Sequence, residues 1–244
     1  MTKKTSLISI LVVVIIAGAF VGVAFSRGAI SFIGWRPHFS MIAFKNPRPS
    51  LDRHVTYPVD FTPDARKIFD TKISGTRAAL KANPGNISAW FDLAIEYRMV
   101  ADYAGAVEIW KYVSAIHPDE GISLHNLGEY YFHTAKDYPA AEEYYMRSIA
   151  VAPQLTQNYS DLADMYTYVY KQDTSATVDI LKQGISKTTS PENLSLIAQL
   201  AGYYANKNDT KDARVYYEQA LQIAESMKNP NLAAQIKKSI SQLK

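Results

Sequence analysis

The sequence predicts an all-α fold, an α-solenoid of about four helical hairpins with a capping helix at each end, preceded by one N-terminal transmembrane helix. Three observations carry that expectation. A pattern of large and small residues occurs four times between residues 87 and 228. Within each copy the apolar residues fall at helical rather than alternating spacing, and turn residues separate the copies. Ahead of the array, Ser6 to Phe25 runs without a charge or a proline.

A chain of 244 residues that is 48% hydrophobic is ordinary for a globular protein and can bury a sizeable core. It has no Cys, which excludes disulfides, thiolate metal ligands and cysteine nucleophiles but selects no compartment. Most of its 17 Tyr fall at helical spacing inside the repeats, where large flat side chains fill the layers between helices. The net charge of +3 hides an asymmetry. From Asp60 onward there are 19 Lys and Arg against 22 Asp and Glu, whereas residues 27–59 hold five Lys and Arg against the single Asp52. The repeats therefore lack the positive face that phosphate neutralisation requires, and nucleic acid is not an expected partner.

Residues 1–26 read as a membrane anchor: at about 1.5 Å per residue, the apolar run reaches roughly the 30 Å hydrocarbon thickness of a bilayer. Lys3 and Lys4 followed by Gly22 and Ala24 also suit a cleaved signal peptide. The run exceeds the usual h-region of about 7–15 residues, so an uncleaved anchor is expected. Its flanks nearly balance, Lys3 and Lys4 against Arg27 and Arg36. Because so short a tail seldom crosses, the N-terminus is placed inside and the repeats outside, on the periplasmic side of a bacterial cell membrane. Residues 27–60 form a connector, since Pro37, Pro47, Pro49 and Pro58 forbid a long helix. Within it, Trp35, Arg36 and Lys45 suit a membrane interface. Equally, Phe39, Ile42 and Phe44 suit packing onto the first helix of the soluble domain.

Residues 61–86 form the first capping helix, with Thr62 as N-cap, Pro63 in the first turn and Asp64 near the positive dipole end. Asn83-Pro84-Gly85 stops it. The four hairpins span about 87–120, 121–155, 156–193 and 194–228. The first places Trp90, Leu93, Ala94 and Tyr97 on one helix, Ala106 and Trp110 on the next, and closes at Pro118. The second has Leu124, Leu127, Gly128 and Tyr131, then Ala141 and Tyr145, then Pro153, with one extra residue near Lys136 and Asp137. The third opens with Tyr159, Leu162, Ala163 and Tyr166 but continues less regularly through Thr177, Leu181 and Gly184. The fourth has Ile197, Leu200, Ala201 and Tyr204, then Ala213, Tyr217 and Ala220. After Asn229-Pro230, residues 229–244 place Leu232, Ile236, Ile240 and Leu243 on one face with Lys237 and Lys238 off it, as an array end needs.

These spacings, W-x2-L-A-x2-Y, A-x3-W and P in the first unit, resemble the tetratricopeptide repeat (TPR). The resemblance implies paired helices that stack because neither can bury its apolar face alone. It also implies that first helices line a concave groove receiving a protein or peptide partner. The groove positions here are Phe91, Ile95, Arg98 and Met99, then His125, Glu129, Phe132 and His133, then Asp164 and Tyr168. Some family members clamp chaperone C-termini with two Lys, two Asn and an Arg. Asn126 matches one of those positions, but Phe91, Ile95, Gln157 and Asp161 occupy the others, so that clamp is absent.

Reactive chemistry is sparse. His125, Glu129 and His133 lie at i, i+4 and i+8, but the outer pair stands about 12 Å apart along a helix and no fourth ligand is evident, so no metal site is expected. Asp161 and Asp164 read as solvated charges without a nucleophile or cofactor to serve. No cofactor and no catalysis are expected. Two functions fit: a membrane-tethered scaffold or assembly factor in the cell envelope, or a cytosol-facing regulatory or accessory subunit of a membrane complex.

Overall fold

The computed structural model describes the backbone of residues 11–16, 19–26 and 29–34, and residues 47–243 with their side chains. The chain divides into two compact units, residues 1–45 and 46–244. In the first, β1 (Leu11–Ile16), β2 (Ala19–Ser26) and β3 (Ala29–Gly34) form an antiparallel sheet in sequence order, with Val13 opposite Gly22 and Val23 opposite Phe32. This departs from the helix expected over residues 6–25. Five of the six residues of β1 are Val or Ile, whose branched Cβ restricts χ1 in a helix and suits a pleated strand, and Gly18 and Gly22 weaken a helix further. Among the described residues no helix is long and apolar enough to cross a membrane. Residues 6–10 and 17–18 of the expected anchor lie outside the described residues, as do Trp35, Phe39, Ile42, Phe44 and Lys45.

The second unit is all helical and follows the expected order. A single helix, α1 (Pro63–Ala82), precedes four hairpins: α2 (Ile87–Met99) with α3 (Tyr103–Ile116), α4 (Gly121–Glu129) with α5 (Tyr138–Val151), α6 (Thr156–Tyr168) with α7 (Ala176–Lys187), and α8 (Leu194–Asn206) with α9 (Thr210–Ser226). The closing helix is α10 (Pro230–Ser241). Thr62 caps α1 as its sequence requires, its Oγ1 accepting from Ala65 N at 3.2 Å. Each helix packs on the next, and the buried side chains form three clusters along the array. Leu80, Trp90, Leu93 and Trp110 fill the first, Tyr145, Tyr159, Leu162 and Leu181 the second, Ile197, Ala220 and Ile236 the third.

Two recurring bonds hold the units in register. Trp90 Nε1 donates to the Pro84 carbonyl at 2.9 Å and Tyr159 Oη to the Pro153 carbonyl at 2.9 Å, pinning α2 and α6 to the turns before them. Between helices, the amides of Asp102, Asp137 and Asp209 donate to the carbonyls of Tyr97, Tyr131 and Tyr204 at 2.8, 2.9 and 2.9 Å. The same Asp carboxylates cap α3, α5 and α9 through Gly105, Ala140 and Asp212 at 3.0, 3.1 and 3.1 Å. Tyr131 and Asp137 are one residue further apart than their counterparts. The surplus residue is absorbed by a π-helical turn, Tyr130–Ala135, that continues α4.

From Pro47 onward the connector belongs to the folded unit. Pro49 and Leu51 are buried. Arg53 forks onto Asp102, Nε to Oδ2 at 2.7 Å and Nη2 to Oδ1 at 2.9 Å, and reaches Glu108 at 3.4 Å. Arg77 of α1 holds the Arg53 carbonyl at 2.5 Å and the Tyr97 hydroxyl at 2.8 Å. The segment thus straps the start of the array.

Candidate functional site

The first helices α2, α4 and α6 carry all the residues assigned to the groove except Phe132 and His133, which fall on the π turn. Helix geometry sorts these residues into two kinds. Ile95, Met99 and Tyr168 are 42%, 55% and 63% exposed, and Arg98 and His133 are exposed as well. Phe91 and Phe132 are half-buried and pack against the first and second core clusters, so they belong partly to the scaffold instead of standing free as partner anchors. His125, Glu129 and Asp164 are half-buried.

Three of these residues meet at one cleft of about 310 Å³, where Arg98, Glu129 and His133 stand with Tyr103, Trp110 and Asn126. Arg98 Nη1 donates to Glu129 Oε2 at 3.2 Å, joining the first two units across the surface. Asp164 and Tyr168 line a separate cleft with Gln199, whose Nε2 donates to Asp164 Oδ1 at 2.7 Å. Phe91, Ile95 and Met99 line neither. A larger cleft, about 710 Å³, lies between residues 52–57 and α1, where Arg77 is already committed to the strap.

The sequence reading missed a polar cluster between the second and third units, because its members come from different repeats. Asp161, expected to be a solvated charge, is half-buried with Oδ2 3.8 Å from His125 Nδ1. Burial, and the charges of Glu129 and Asp164 against the opposing pull of His125, hold its carboxyl well above the usual range. Below it a buried chain of bonds runs from Ser148 Oγ to the Gly121 carbonyl at 2.8 Å, from Asn158 Nδ2 to Ser148 Oγ at 2.8 Å, and between Asn158 Oδ1 and His125 Nδ1 at 3.0 Å. The carbonyl end fixes the direction of every bond. Ser148 must donate to Gly121, so it accepts from the Asn158 amide, which turns Oδ1 to His125, and Nδ1 must carry a proton. Ser148 takes the place that Ala220 holds in the fourth unit, the one signal in the sequence that something polar is buried here.

Family comparison agrees with this architecture. Residues 122–155 and 194–227 each match a family model described as tetratricopeptide repeat. Those two segments are tetratricopeptide repeats. The matched units are the second and fourth hairpins, including the one with the extra residue. Among solved structures, the chain is similar to the crystal structure of MamA, at 20% identity and a TM-score of 0.52 over 71% of this chain and 99% of that one. A thermophilic TPR protein of Thermus thermophilus is 19% identical with a TM-score of 0.49, covering 72% and 93% of the two chains. A Sel1 repeat protein from Oxalobacter formigenes is 16% identical with a TM-score of 0.46, covering 75% and 91%. At this identity the MamA likeness is one of fold. No curated protein matches the chain.

Proposed function

We propose that the chain is a membrane-tethered scaffold or assembly factor whose TPR array captures a partner polypeptide along its first helices. The observation that carries this reading is the exposure of Ile95 and Met99 on α2 and of Tyr168 on α6, first helices that together with α4 also carry Glu129, Asp161 and Asp164. Large apolar groups left in water beside carboxylates favour a segment with apolar anchors and some positive charge, held by burial and steered by charge. In a pull-down from native membranes, Met99→Ala/Tyr168→Ala should weaken capture by roughly tenfold or more with an unchanged melting temperature. Leu127→Ala, fully buried, should lose both capture and stability. If the double variant keeps every partner, these helices are not the binding surface.

Tethering rests on residues 6–25, uncharged and long enough to span hydrocarbon as a helix. An open three-stranded sheet leaves edge amides and carbonyls unpaired, which hydrocarbon does not tolerate, so insertion requires this segment to become helical. The repeats are placed on the outer side. Carbonate-washed membranes should retain the full chain and release one lacking residues 1–26, and a C-terminal reporter should be active outside the membrane alone. Release of the intact chain by washing would refute the tether, and a cytosolic reporter would turn the scaffold into an accessory subunit facing the cytosol.

A further inference from the structure

His125 and Glu129, one turn apart on α4, and Asp161 of α6 each offer a ligand atom within 4.8 Å of the other two. Asp161 thus stands where helix spacing alone could suggest only the distant His133. We propose that these three side chains bind a divalent cation of the zinc type, with a fourth position left to water. One imidazole and two carboxylates is a donor set such ions accept, three protein ligands and an open position being their usual non-structural arrangement.

Two further features favour a bound ion over a chance meeting of acids. The chain from Gly121 through Ser148 and Asn158 places the proton on His125 Nδ1, so the neutral ring keeps its lone pair on Nε2. A ligating histidine with its other nitrogen held by a buried hydrogen-bond partner is what orients such sites. Tyr145 supplies the second feature. It is 0% exposed, its ring centroid lies 5.8 Å from that of His125, its hydroxyl has no hydrogen-bond partner among the described residues, and the charges bearing on it are those of Asp161 and Glu129. A buried hydroxyl left unpaired beside two carboxylates finds a partner once a cation fixes those carboxylates, or the water it carries, in place. Arg98 engages Glu129 through Oε2, which leaves Oε1 for the ion. Ligand atoms in a tetrahedral zinc site stand about 3.4 Å apart, at bonds of about 2.0–2.2 Å. With the imidazole held by Asn158, the spread of 4.8 Å closes by rotation of the partly exposed Glu129 and Asp161, the latter carrying its Oδ2 from 3.8 Å off Nδ1 toward the Nε2 edge of the ring.

The test is a titration of the untagged full chain, stripped with chelator, with Co²⁺ followed by its visible d–d absorption and then displaced by Zn²⁺. One equivalent should bind. Asp161→Asn and Glu129→Gln, both checked for native circular dichroism, should each lower affinity at least about tenfold, while His133→Ala leaves it unchanged. Either variant suffices if the other misfolds. Absence of a stoichiometric band, binding by Asp161→Asn equal to wild type, or an equal loss in His133→Ala, marking loose surface coordination, would overturn the proposal.

Discussion

Gly128 shows how a single position can be lawful by family pattern and forbidden by packing. The other three units carry Ala94, Ala163 and Ala201 there, so the pattern alone invites alanine. A Cβ at Gly128, however, would sit 2.6 Å from the Tyr145 ring, which is fully buried and cannot retreat. Gly128→Ala should therefore destabilise by about 1–3 kcal/mol in denaturant unfolding, whereas Ala201→Gly in the fourth unit should cost about 1 kcal/mol through helix propensity. The Asn158 chain makes a second prediction at this scale. Ser148→Ala leaves the Asn158 amide buried without an acceptor and should cost about 1–3 kcal/mol. In ¹⁵N-detected spectra, neutral His125 should appear as the Nδ1–H tautomer in wild type and lose that preference in Ser148→Ala. A wild-type Nε2–H signal would contradict the direction assigned to these bonds.

At the scale of elements, caps and breaks were legible because they depend on neighbours in sequence: Thr62-Pro63 opens α1, and Asn229-Pro230 opens α10. The surplus residue of the second unit was legible too, but not its remedy, since whether a helix absorbs an insertion by a π turn or a longer loop depends on what holds the two ends. Here the Tyr131–Asp137 bond and the Asp137 cap hold them. Deleting Thr134, exposed in the π turn, should restore the spacing of the first and fourth units and leave the melting temperature unchanged or raised. Deletion of Ser160 from the middle of α6 should unfold the domain. The strap was not legible, because Arg53 and Asp102 are far apart in sequence and residues 27–60 look like a proline-rich connector. Burial alone raises the Asp102 carboxyl, but the Arg53 guanidinium and the Gly105 amide outweigh it and hold the group below its ordinary 3.8. The unfolded chain therefore takes up this proton first on acidification. The strap's contribution is full above about pH 4 and is lost as pH falls through the lower folded value. Asp102→Asn should flatten the acid limb of urea unfolding across that range, and Asp102→Ala should cost about 2 kcal/mol at neutral pH.

Across the whole molecule, the repeat count, helix order and core residues could be read from sequence because stacking hairpins impose the same spacing on every unit. Trp90, Leu127, Tyr159 and Leu200, chosen on spacing, are all buried to within 1% of full exclusion. Surfaces obey no such rule, so Phe91 and Phe132, groove positions by repeat spacing, also pack on the core, and Asp161 read as solvated yet faces His125. The central claim is that the first helices form the capture surface. The most direct measurement places a photoreactive amino acid at Met99 or Tyr168 on the first helices, and at Met146 on α5, which is 41% exposed. After irradiation of intact cells, Met99 and Tyr168 should yield the same cross-linked partner and Met146 none. Cross-linking from Met146 with silence at Met99 and Tyr168 would contradict the account.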